Sequence, residues 1–147
     1  MMRTVLAICT FLFVLTGCAG INFPGMAPDV MKASRGEMQF LACGENAETC
    51  GDIVAVYDHK ARVMYLPEDW SDDPKTWTDY RQSVLIHEYV HHVQAIRGDF
   101  QRKCSGDLER EAYQAQIAFL RARGHENPFA VMNLGPITYM SVTACGM

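Results

Sequence analysis

The chain lacks the features that mark nucleic-acid binders, membrane-spanning proteins and cysteine-held zinc modules. Its 147 residues carry 13 Lys and Arg against 17 Asp and Glu, a net charge of −4. With no basic run or stripe, a nucleic-acid partner is excluded. The apolar stretch Val5 to Leu15 is too short for a spanning helix, which needs about 20 residues. Six cysteines are present, but no CxxC pair or tight cluster, which argues against zinc held by thiolates. Internal repeats and low-complexity tracts are also absent, and the length suits a single domain.

What is present starts with the N-terminus. Arg3, the apolar Val5 to Leu15 stretch and Leu15-Thr16-Gly17-Cys18 have the layout of a secretory signal. Small residues before a Cys resemble the bacterial lipobox. That resemblance implies cleavage after residue 17, lipidation of Cys18, and a periplasmic protein held to the membrane by its acyl chains. Ala19 rather than Asp beside the lipidated Cys points to the outer membrane. Cleavage of a plain signal peptide near Ala19 is the alternative. Residues 18–36, with Pro24, Gly25, Pro28 and Gly36, read as a tether with at most one short helix around Pro28 to Ala33. The folded domain is then expected over 37–147.

With Cys9 in the signal and Cys18 lipidated, Cys43, Cys50, Cys104 and Cys145 remain. An even number in an oxidising compartment suggests two disulfides, with three pairings open. We expect Cys43–Cys50, closing a short loop, and Cys104–Cys145, stapling the C-terminal tail.

The informative motif is His87-Glu88-Tyr89-Val90-His91. On a helix, residues four apart share a face, so His87 and His91 can offer two imidazoles to one metal ion. Glu88 points about 100° round the helix, where it can deprotonate the attacking water as general base. The surrounding stretch, Thr78 to Gly98, has Val84, Leu85, Tyr89, Val93 and Ile96 at helical spacing without internal Gly or Pro. Thr78 can cap its start and Gly98 its end.

A catalytic zinc usually has three protein ligands and one open position. Gln94 and Arg97 stand where the metzincin continuation needs Gly and His, so the third ligand must lie further on. Leu108 to Gly124 reads as a second helix, with Leu108, Ala112, Ala115 and Phe119 as its apolar stripe and Ser105 or Asp107 as its cap.

Taken together, the pentapeptide and Glu109-Arg110-Glu111-Ala112-Tyr113 resemble the gluzincin group of zinc metallopeptidases. In many small families of this kind the second helix reads E-x-x-A-[D/N/H]. The resemblance implies zinc held by His87, His91 and Glu109, with Glu111 as the competing ligand if the register is E-A. Tyr113 departs from the usual polar residue, which orients a ligand. The resemblance covers roughly Asp52 to Gly124. It implies an α+β, minimal zincin-like fold and hydrolysis of peptide bonds in peptide or protein substrates.

Upstream, Ile53–Tyr57 and Arg62–Leu66 are β-rich runs separated by 58–61, a hairpin whose second strand closes at Pro67. Such a small sheet precedes the metal helix in zincin folds, and its open edge could pair with an extended peptide. After Gly124, 128–132 and 136–142 are expected to be helical, each with Pro at its first turn. His92, Tyr113 and Tyr139 are candidates to orient a ligand or to donate to an oxyanion. His125 reads as a helix-end residue and His59 as a solvated turn residue. A non-catalytic lipoprotein using the same zinc for structure or partner binding is the alternative, and a peptidase kept latent by its 125–147 tail is a third.

Overall fold

In a computed structural model the described residues are 27–49 and 51–146. The elements run β1 Asp29–Ala33, α1 Arg35–Cys43, a 3-10 segment Gly44–Thr49, β2 Val56–Asp58, β3 Val63–Pro67, a 3-10 turn Pro74–Thr76, α2 Asp79–Arg97, a 3-10 turn Asp99–Gln101, α3 Ser105–Ala122, α4 Pro128–Val131 and α5 Pro136–Val142. The fold is α+β, as expected. Its sheet has three strands in the order β1-β3-β2. The hairpin is present with Tyr57 opposite Met64 and Asp58 opposite Val63. The Asp58 side chain stabilises its turn by accepting from the Lys60 and Ala61 N–H groups.

One sheet face packs on α2. Met64 and Leu66 alternate with less buried neighbours along β3 and join Tyr57, Trp70, Trp77 and Val84 in one apolar cluster. Trp70 and Trp77 meet edge-on at 4.9 Å, and the Trp77 indole donates to the Ser71 carbonyl at 2.9 Å. These anchors hold the acidic loop 68–74 that leads into α2. On its other side α2 packs along α3, where Ile86 meets Phe119, Leu120 and Met132 in a second cluster.

The caps of α2 fall where the sequence put them. Thr78 accepts from the Arg81 N–H, and Gly98 closes the helix in the left-handed region at φ 71°, which glycine adopts without a Cβ penalty.

Several expectations are corrected. Residues 29–33, read as tether or short helix, form a strand that pairs in parallel with β3, Asp29 opposite Val63 through Ala33 opposite Pro67. Only Ala33 of that strand is buried, so a distant partner's backbone, not an alternating pattern, makes it a strand. The folded unit therefore begins upstream of residue 37. Helix α1 follows at once, capped by a Ser34–Glu37 capping box, a legible S-x-x-E signal that sequence reading passed over.

Strand β2 is shorter than the expected 53–57 run. Helix α3 is capped not by Ser105 or Asp107 but by Cys104, whose sulfur accepts from the Asp107 N–H. The apolar stripe expected on α2 is only part of its buried face: Val84 is buried, and Leu85 and Tyr89 pack half-buried against the first cluster. Ile96 is exposed, whereas Ser83, His87, Glu88, His91, His92 and Gln94 are buried. A helix packed between a sheet and a second helix is covered on two sides, and here one of those sides is polar.

The Cys104–Cys145 disulfide is formed, with Cα atoms 5.7 Å apart. The Cys43–Cys50 pairing, the signal segment and Cys18 lie outside the described residues, because residues 1–26 and Cys50 are not described. Among the described residues no helix is long and apolar enough to cross a membrane.

Candidate metal centre

At the middle of the α2–α3 interface, three side chains from two helices converge. His87 and His91 stand one turn apart on the buried face of α2, ring centroids 4.8 Å apart. Glu109, in the second turn of α3, reaches between them. Its Oε2 is 3.2 Å from His87 Nε2 and its Oε1 is 3.4 Å from His91 Nε2. A tetrahedral site with bonds of 2.0–2.1 Å places its ligand atoms about 3.3 Å apart, so this donor set fits a metal ion.

Glu111, the alternative ligand, is not brought to this site. Two residues further on it points about 200° away round the helix. There its carboxylate accepts from Arg97 Nη2 at 2.7–2.8 Å and from Gln94 Nε2 at 3.3 Å, and pairs with Lys103 at 3.5 Å.

Two buried glutamines fix the imidazoles. Gln116 Oε1 lies 3.2 Å from His87 Nδ1, and its amide nitrogen donates to Ser83 Oγ at 3.0 Å. The Ser83 hydroxyl in turn donates to the Tyr80 carbonyl at 2.7 Å. Gln94 Oε1 lies 2.8 Å from His91 Nδ1, and its nitrogen donates to the Leu108 carbonyl at 2.9 Å. Because each amide nitrogen is committed elsewhere, each amide oxygen faces an imidazole and makes Nδ1 the donor. Nε2 of both rings is left to meet Glu109 or a metal. The orienting role considered for Tyr113 thus falls to Gln116. Sequence reading missed both glutamines, since a polar residue on a helix carries no mark of a buried partner on another element.

Electrostatics within the triad favour positive charge between the three groups. Burial alone would raise the Glu109 carboxyl, but hydrogen bonds from His87 and His91 and their charge hold it well below the usual range. Burial would lower His91, yet the Glu109 hydrogen bond and the charges of Glu88 and Glu109 raise it to about 9. Glu88, deep beside them, is pushed up by burial, against the opposing charges of the two histidines and a hydrogen bond from the Tyr57 backbone N–H.

A pH dependence follows for the metal-free protein. His91, raised from 6.5 to about 9, contributes stability that is complete below about pH 6.5 and lost as pH rises towards 9. Raised Glu88 acts in the same direction, because ionising it while buried costs free energy above about pH 4.5. Glu109, depressed, contributes above about pH 4.5 and loses its contribution as pH falls further. The urea midpoint of the chelated protein is expected to be higher at pH 5.5 than at pH 9; an unchanged midpoint would refute the pairing of His91 with Glu109.

The triad opens into a cleft of about 370 Å³. Ile53 to Ala55, leading into β2, and Val56 form one wall, Val84 and Tyr113 part of another, and Met132 and Leu134 come from the tail. Glu88 lines the cleft beside the histidines. Tyr113 packs edge-on against His87 at 4.6 Å. Its hydroxyl is kept protonated, pushed up to about 12 by burial and then by the charges of Glu109 and Glu88.

The other candidates lie elsewhere. His92 is buried and its Nδ1 meets the Tyr57 hydroxyl at 2.8 Å, tying α2 to β2 outside the cleft lining. Tyr139 stands behind Tyr113 at 5.8 Å and packs on Phe129. His59 is not a free turn residue but stacks on Phe100 at 4.2 Å. His125, at the helix end as expected, meets Asp79 at 2.9 Å.

Among known proteins, a family model described as a domain of unknown function (DUF6647) matches residues 15–138. No curated protein and no solved structure matches the chain.

Proposed function

The chain belongs to the DUF6647 family, and we propose that it is a zinc-dependent peptide hydrolase with a minimal zincin-like domain, working in the bacterial periplasm from a lipid anchor at Cys18. The single observation that carries this reading is the convergence of His87, His91 and Glu109 with Glu88 beside them on one cleft. Two imidazoles and one carboxylate are a zinc donor set, and three protein ligands leave a coordination position open. Copper and nickel compete for imidazole as well, but a carboxylate with two imidazoles near tetrahedral spacing suits zinc.

When bound, zinc would supply Lewis acidity towards a carbonyl oxygen and acidify water. Glu88 would take the proton of the attacking water and pass it to the leaving amine. Burial prepares it for this, since a carboxyl raised towards neutral pH is a better match to an amine than one in bulk water. Tyr113, whose hydroxyl has no hydrogen-bond partner among the described residues, would donate to the oxygen on which charge develops. The outward edge of β2 and the Ile53 to Ala55 backbone before it would pair with the main chain of a substrate. Gln94 and Gln116 would hold the ligand rings in place.

The test is bound zinc per chain in protein expressed to the periplasm and purified without chelator or a His tag. One zinc is expected in the parent and in Glu111→Gln, and none in Glu109→Gln. Gln94→Leu and Gln116→Leu should weaken zinc by about 10–100-fold. A folded, disulfide-bonded parent that refuses added zinc would replace the enzyme with the non-catalytic reading.

A further inference from the structure

Beyond the metal, the cleft carries information about what it can hold. No Lys or Arg is found among its described lining residues, whereas three carboxylates, Asp52, Glu88 and Glu109, are. Zinc would offset Glu88 and Glu109. Asp52 is paired with Arg35 at 3.0 Å, but both side chains are largely exposed and the pair is screened. Past His87 the wall turns apolar. Val84 and Tyr80 lie one and two turns towards the start of α2, roughly 5 and 10 Å along its axis. Met132 and Leu134 face the cleft from the tail, and Tyr80 and Leu134 pack with Met132 in one cluster. That is the reach of the residue next to a bond held at the triad, since adjacent Cα atoms are about 3.8 Å apart.

We propose that this cleft takes the interior of an extended peptide, with an apolar residue beside the scissile bond, and rejects substrates carrying a carboxylate there. The inference rests on the hydrolase reading and names its substrate class. A free C-terminal carboxylate needs a cation or a cluster of backbone N–H groups to hold it, and the lining offers no such cation. An acidic side chain placed against Val84 and Leu134 loses its hydration with no partner, close to Glu88. Peptidoglycan stem peptides, rich in carboxylates, fit this lining poorly.

The experiment uses the full zinc-loaded protein and peptides of equal length blocked at both ends, with Leu or Phe, or Asp or Glu, on either side of one bond. Two further probes are the apolar peptide with a free C-terminal carboxylate one residue from that bond, and a stem peptide. The blocked apolar peptides should exceed each of the others by about 10-fold or more in kcat/KM. Calorimetric binding to zinc-loaded Glu88→Gln should follow the same order. Leu134→Arg, verified by its zinc content, should narrow the gap for the acidic peptides.

Cleavage without preference, or better binding of the stem or free-carboxylate peptide, would overturn the inference while leaving hydrolysis intact. Ordered binding with no cleavage by the parent would overturn hydrolysis, and the scissile bond with it, and leave only the cleft's preference for an extended apolar peptide. No binding of any peptide would overturn the inference.

Discussion

Glu88→Gln is expected to lower kcat by 10²–10⁴-fold, the contribution typical of a general base, while the zinc content stays at the parental value. Glu88 lies on α2 between the two histidines, is 7 % exposed, and accepts a hydrogen bond from the Tyr57 backbone N–H. Glutamine has the same shape and can accept that bond through its amide oxygen, so position and fold are kept while the proton acceptor is lost. The variant should also unfold at the same or a higher temperature. The group removed is a buried carboxyl whose ionisation costs free energy, not a partner in an ion pair. Zinc content, turnover and melting temperature therefore separate three outcomes. Lost turnover with zinc and stability intact supports the base. Turnover within about tenfold of the parent would sink the mechanism, and lost zinc would mean that Glu88 supports the ligands instead.

The part of this site that the sequence made legible is the part written into single helices. His87, Glu88 and His91 depend only on helical period and on the Thr78 and Gly98 caps, both observed. Glu109 was ambiguous with Glu111 because a charged residue near a helix start has two physical uses. The choice is made by which face of α3 meets α2 and by the Arg97 and Lys103 cations waiting for Glu111.

What remained illegible is non-local. Gln116 matters because Ser83 and His87, on another helix, lie across from it. Strand β1 forms because β3 has a free edge, and four of its five residues are exposed, so no burial pattern announces it. The buried polar face of α2 has the same origin. Periodicity predicts burial of apolar groups, but here buried polar groups are satisfied across the interface between two helices.

Removing the Cys104–Cys145 cross-link, as Cys104→Ser with Cys145→Ser, is expected to cost about 4 kcal/mol, from loop-closure entropy over its sequence separation of 41. The double serine variant isolates the cross-link, because Ser at the N-cap of α3 keeps an acceptor for the Asp107 N–H and is a strong cap in its own right. The tail is also held by packing. Thr143 is buried, Arg110 donates to its carbonyl at 2.6 Å, and a Cβ on Gly106 would lie 2.2 Å from the Ala144 carbonyl oxygen. That close approach makes Gly106→Ala a second route to the same damage, one that displaces the tail backbone while leaving both sulfurs in place. Four kcal/mol is a large share of the 5–15 typical of a domain, and it falls on the helix turn before Glu109. The serine variant should therefore unfold at lower urea concentration and hold zinc more weakly than the parent. A loss under about 1 kcal/mol, with zinc affinity unchanged, would mean that packing of Thr143 and Gly106 holds the start of α3 and the disulfide only protects the tail. A loss near the full value would make the position of Glu109 dependent on an oxidising compartment.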